Sequence, residues 1–146
     1  MKRFLIALFG LLLTAGALAQ PAHNPGTEAM AAFIAEASQA GWLQVPPADA
    51  FDFIEQVEPF VLYVRRDTEY AEGHIEGAVL IPIAELDARI SELPQNLDAP
   101  MLVYCAVGIR GNFGLTYLKM LGYTNVRNIR GGFGAWTEAG LPSVTP

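Results

Sequence analysis

Short apolar runs alternate with helical stretches along most of this chain, and that alternation restricts it to one class of architecture. Residues 43–45, 61–64, 78–81, 101–104 and 126–129 have strand length and end at turn or helix signals. Between them the spacing predicts helices over 47–56, 84–93, 112–121 and 133–139, the second stopped by Pro94 and the third by Gly122. A strand that leads through a helix to the next strand returns parallel to the first, so the expected fold is α/β. It is an open, mostly parallel five-stranded sheet with helices on both faces. Ligands of such sheets bind beyond the C-terminal ends of the strands, where a loop enters the next helix.

The N-terminal residues read as an address rather than as part of this domain. Lys2 and Arg3 precede an uncharged apolar run, residues 4–19, that ends in Ala17, Leu18 and Ala19. The run is shorter than the ~20 residues of a spanning helix, and the small-residue ending suits cleavage, so residues 1–19 are expected to be a secretory signal peptide. An exported protein is implied, periplasmic where the cell has two membranes and secreted otherwise, with no stable membrane insertion after cleavage. Residues 20–26, with Pro21, Pro25 and Gly26, have linker composition. Thr27 is placed to cap a helix over 27–41 whose Met30, Phe33, Ile34 and Ala37 share one face, ending at Gly41. The domain proper then covers 42–146.

Of the 146 residues, 52% are hydrophobic and 16% charged, a balance that excludes a disordered chain. The net charge of -6 supplies no basic footprint for nucleic acid or for an anionic membrane surface. A single cysteine, Cys105, excludes an intramolecular disulfide although the expected compartment is oxidising. Its thiol is therefore either a small buried hydrophobe or a group kept free for chemistry.

Its surroundings favour chemistry. The run 101–104 leads directly into Cys105-Ala106-Val107-Gly108-Ile109-Arg110-Gly111, with a helix following. Unpaired amides of such a loop and of a first helical turn point inward and favour an anion on the sulfur, and Arg110 adds fixed positive charge. Gly108 and Gly111 lack the Cβ that would obstruct a chain curling around one sulfur atom.

This segment resembles the active-site loop of the single-domain rhodaneses, a family of sulfurtransferases. Other stretches resemble the same family in the same order: Glu69-Tyr70-Ala71-Glu72-Gly73-His74-Ile75-Glu76-Gly77-Ala78 with Pro82 after it, then Gly122-Tyr123, Asn125-Val126, Gly131-Gly132 with Ala135-Trp136, and Gly140-Leu141-Pro142. The resemblance spans about residues 45 to 142, and motifs in order are more specific than any one alone. It implies a sulfurtransferase in which Cys105 takes a sulfane sulfur from a donor such as thiosulfate, becomes a persulfide, and yields the sulfur to cyanide or a thiol. Cys105 and Arg110 are then the catalytic pair. Ala106, Val107, Gly108, Ile109 and Gly111 form the substrate-binding loop, and Arg65 and His74 support it nearby. No metal and no organic cofactor is implied, and the lone His23 has no companion at ligand spacing. The implied partners are a small sulfur-containing anion, or a thiol or persulfide donor and acceptor, including a thiol carried by a protein.

Two departures from the family pattern bear on specificity. Ala106 and Val107 stand where a basic and a small polar residue are frequent, and Ile109 is apolar as well, so the rim offers little to the dianion thiosulfate. A larger, less charged or protein-borne donor suits these side chains better. Tyr63 stands where the family has aspartate, which leaves Arg65 either to pair with another acid such as Glu69 or Glu76 or to be solvated.

Several other residues are expected to be structural. His74 should tie two loop segments together by hydrogen bonds rather than act as a base. Trp42 and Trp136 should pack in the core or at a sheet edge, and Glu72 and Glu76 should be solvated. Two further functions share the architecture. A binding or regulatory module with weakened catalysis is compatible with Tyr63 and the altered rim. A cysteine-dependent phosphatase is disfavoured because such loops resemble C-x-x-x-x-x-R, one residue longer than the spacing from Cys105 to Arg110, and because no general acid is evident.

Overall fold

The computed structural model describes residues 22–146. The expected signal segment 1–19, residues 20 and 21 of the linker and the side chain of Trp42 lie outside the described residues. The chain runs α1 (Pro25–Gln39), β1 (Gln44–Val45), α2 (Pro47–Val57), β2 (Phe60–Tyr63), α3 (Asp67–Glu72), β3 (Val79–Leu80), β4 (Met101–Tyr104), α4 (Ile109–Met120), β5 (Val126–Ile129) and α5 (Gly132–Glu138). The strands form a five-stranded sheet in the order β1-β5-β4-β2-β3, and every neighbouring pair is parallel. The α/β class and the helix-covered parallel sheet are as expected.

Side-chain alternation along the two central strands builds two cores. Leu62 and Val64 of the β2 segment, Met101 and Val103 of β4, and Cys105 just beyond it pack against Leu115 and Leu118 of α4 on one face. Val61, Tyr63, Leu102 and Tyr104 point the other way, onto Ala50 of α2 and Trp136 of α5. Each of these side chains is at most 5% exposed, which is why β2 and β4 read as continuous apolar runs rather than alternating ones. Trp136 is a core residue, its indole Nε1 donating to Pro142 O at 2.8 Å.

Three local expectations are corrected. The first helix starts at Pro25 rather than Thr27, because Asn24 is the cap: its side chain accepts from the Gly26 and Thr27 amides, and the Thr27 hydroxyl accepts from the Asn24 backbone N–H. Pro25 and Gly26, expected in the linker, form the first turn. This helix lies against α4, with Phe33 packed on the first core and Glu36 paired with Lys119 at 2.7 Å. Residues 84–93 are not an α-helix. They form successive turns that end in a 3-10 turn at Ile90–Glu92, with Leu86 and Leu93 plugged into the core and Ile90 left exposed. Arg89 binds Glu85 and Glu92 across these turns, and Pro82 and Pro94 bracket them. Finally, α4 begins at Ile109, three residues before the expected start at Asn112.

Candidate functional site

The earlier start of α4 decides the geometry around Cys105. Gly108 takes φ +92°, a left-handed conformation that non-glycine residues rarely adopt, and so turns the chain from the end of β4 straight into helix. Ile109, Arg110 and Gly111 thereby become a first helical turn, whose amides have no partner within the helix. The Gly108 amide donates to Cys105 Sγ at 3.2 Å. The sulfur is sunk within the loop, the residue being 1% exposed, while Val107 and Ile109 stand out at 62% and 64%. Ala106 is half-buried. Gly111 is buried against Asn128, whose Oδ1 would lie 2.2 Å from a Cβ at that position.

The loop is held from two directions. Asn128, fully buried on β5, donates its amide to Gly108 O at 3.1 Å and to Asn112 Oδ1 at 2.6 Å. It therefore fixes the residue whose own N–H meets the sulfur. From the second side, the Phe133 and Gly134 amides at the start of α5 donate to Cys105 O and Ala106 O at 2.7 and 2.9 Å.

Arg110 does not stand free. Its two terminal nitrogens each donate to one carboxylate oxygen of Glu69, both at 3.1 Å, a bidentate pair. Arg65 donates to the same carboxylate at 2.7 Å and to the Tyr63 hydroxyl at 2.8 Å. Of the two acids expected for Arg65, Glu69 is the partner and Glu76 is exposed, as is Glu72. The bond from Arg110, with further bonds from Arg65 and the Arg66 amide, holds the Glu69 carboxyl down to about 2 from an ordinary 4.5, against the opposing effect of burial. Glu69 in turn raises the pKa of Arg110, with a further contribution from the Cys105 sulfur.

A carboxyl depressed on folding stabilises the fold fully above its unfolded pKa and loses that contribution as pH falls through the folded one. For Glu69 the window runs from pH 4.5 down to about 2. Allowing for partial solvent exposure, the contribution is about 2 kcal/mol. Urea midpoints of the protein and its Glu69→Gln variant should differ by a constant amount above pH 5 and converge below it; a difference independent of pH down to 2.5 would contradict the pairing.

His74 joins two segments. Its ring stacks on Tyr70 with centroids 3.5 Å apart, Nδ1 lies 3.0 Å from Tyr70 O, and its backbone exchanges two hydrogen bonds with Val144. Tyr63, in the place of the family aspartate, stacks on Tyr104 at 4.4 Å, and the Tyr104 hydroxyl accepts from the Ile75 amide. Two contributors escaped the sequence reading. Asn128 carried a signal, a polar side chain on the inward face of an apolar strand. Glu69 was named only for Arg65, and its reach to Arg110 spans 41 positions.

Comparison with known proteins bears on the family and the fold. Residues 47–139 match the family described as Rhodanese-like domain. A protein named Sulfurtransferase from Allochromatium vinosum is 39% identical over 83 residues, 57% of this chain and 76% of the relative. The thiosulfate sulfurtransferase GlpE of Pseudomonas putida is 32% identical over 102 residues, 70% of this chain and 90% of that protein. In two other curated relatives the match takes in 56% and 44% of the relative's own length. Among solved structures, a rhodanese-related protein from Thermoplasma volcanium superposes with a TM-score of 0.64 at 32% identity, over 70% of this chain and 98% of that one.

Proposed function

The chain belongs to the rhodanese-like domain family, and from that premise we propose that it is a sulfurtransferase working through a persulfide on Cys105. The observation that carries this reading is the sulfur itself, sunk at the end of β4 with the Gly108 amide 3.2 Å away and Arg110 on the first turn of the adjoining helix. The Cys105 thiolate attacks the outer sulfur of the donor, the bond from that sulfur to the rest of the donor breaks, and the leaving group departs with the electron pair. From thiosulfate the leaving group is sulfite. The persulfide anion is then attacked at its terminal sulfur by cyanide or a thiolate, and the Cys105 thiolate is regenerated. The Gly108 amide, already 3.2 Å from the sulfur, stabilises its anionic states without reorganising, and Arg110 adds positive charge from the first turn of α4.

The spacing from Cys105 to Arg110 supports sulfur chemistry over phosphate ester hydrolysis, since the shorter loop closes on one sulfur atom. The Lys2, Arg3 and 4–19 pattern supports an exported protein, periplasmic in a cell with two membranes. The two half-reactions share one enzyme form, so steady-state rates with varied donor and cyanide should give parallel double-reciprocal lines. Intersecting lines would mean that both substrates bind together before sulfur moves, and the persulfide cycle would fall.

A further inference from the structure

The exposed side chains around the Cys105 loop are apolar, and the cation of that loop is already shared. Val107 in the loop and Ile109 and Phe113 on α4 are 62%, 64% and 65% exposed, hydrophobes where solvent-facing positions are ordinarily polar. Ile109 and Phe113 are four residues apart on α4 and so share a face. Phe113 continues that surface into a shallow groove with Ile83, Leu86 and Tyr117, where the one charged side chain, Asp87, is bonded by the Tyr117 hydroxyl. Beneath the rim, Glu69 takes both terminal nitrogens of Arg110 and also binds Arg65, so the charge offered to an incoming anion is partly neutralised. The whole chain carries -6, which further disfavours a small dianion at the mouth.

We infer that the donor this site selects is an organic sulfane-sulfur compound bearing at most one negative charge and an alkyl or aryl group close to the transferred sulfur. This rests on the persulfide reading and adds to it the substrate class and Phe113 as a specificity residue. The thiosulfonates serve as probes. The Cys105 thiolate attacks their outer sulfur, the bond from that sulfur to the sulfonyl sulfur breaks, and the sulfinate leaves with the electron pair. Charge balances, two anions giving a persulfide anion and a sulfinate anion. The apolar substituent lies against Ile109 and Phe113 while the sulfur enters the loop.

Three donors separate the contributions. Methanethiosulfonate and thiosulfate differ chiefly in charge, and benzenethiosulfonate and methanethiosulfonate share their charge and reacting group but differ in apolar area. With cyanide as acceptor, kcat/KM should rise about tenfold or more from methane- to benzenethiosulfonate, mostly through KM, as burying part of a phenyl ring requires. In an Ile109→Ser, Phe113→Ser double variant of unchanged melting temperature that ratio should fall to about twofold. A Val107→Lys change should raise kcat/KM for thiosulfate over methanethiosulfonate by several fold. Equal use of the two thiosulfonates, or a ratio that the double variant leaves unchanged, would overturn the inference while sulfur transfer stands. If none of the three donors leaves a persulfide on Cys105, the sulfur-transfer reading itself fails.

Discussion

Serine at position 105 should reduce sulfur transfer by about 10³-fold or more, to the level of the uncatalysed reaction. The hydroxyl is nearly the size of the thiol but cannot carry a sulfur atom as a labile persulfide, so the covalent step is lost rather than slowed. Stability should change little by comparison. The side chain is buried in the first core, yet its sulfur already accepts the Gly108 amide, a bond that a hydroxyl oxygen can also take. A urea midpoint within about 1 kcal/mol of the parent is expected. Thiocyanate formation from each donor, measured beside that midpoint, checks both halves. Residual turnover within tenfold of the parent would place the sulfur-accepting group elsewhere.

The second large effect lies away from the sulfur, at Gly132. This glycine opens α5 with φ +62°, and a Cβ there would meet Cys105 O at 2.3 Å and Ala106 O at 2.8 Å. These are backbone atoms held by the Phe133 and Gly134 amides, so neither side can yield without breaking the clamp on the loop. Gly132→Ala combines a disfavoured left-handed conformation with that clash and should cost about 3 kcal/mol or more. Activity should fall further than unfolding alone explains, because the carbonyls displaced are those of Cys105 and Ala106. Gly140 serves as the control. It has a similar φ of +70° but nothing within 4 Å of its Cβ position, so Gly140→Ala should cost about 1 kcal/mol and leave activity per folded molecule unchanged. Equal effects at the two positions would show that conformation, not the contact with the loop, is what matters.

Much of the fold was legible because its signals are local. The apolar stretches that became β2, β4 and β5 are read correctly because both faces of those strands are covered. The edge strands β1 and β3 shrink to two residues each: Leu43 belongs to a 3-10 turn, and the Ala78 amide turns back to Ile75 O. Residues 84–93 misled because Leu86, Ile90 and Leu93 have helical spacing although only Leu86 and Leu93 reach the core. Helix α3 went unseen for the opposite reason. It has no buried residue, and its Glu69 is engaged by the Arg66 amide and two arginines.

The site divides in the same way. Cys105, Gly108 and Arg110 are adjacent in sequence, and their conjunction after an apolar strand can be read directly. Arg65 pairing with Glu69 is also within reach, four residues apart on one segment. What unites these groups is tertiary. The sheet order brings β5 beside β4, so Asn128 reaches Gly108 O across 20 positions, and α3 carries Glu69 to Arg110. Neither approach leaves a trace in local periodicity. The exposure of Phe113 is equally hidden, since an aromatic residue on a helix packed against a sheet is expected to face inward.

The central claim is the persulfide, and intact-protein mass spectrometry tests it most directly. The reduced protein is incubated with thiosulfate or benzenethiosulfonate, desalted, weighed, treated with cyanide and weighed again, with the Cys105→Ser variant alongside. The account predicts that the parent alone gains the mass of one sulfur atom and loses it to cyanide. It is contradicted if neither donor leaves an adduct on a parent protein whose Cys105 still reacts with iodoacetamide, because a reachable, reduced thiol would then have declined the sulfur.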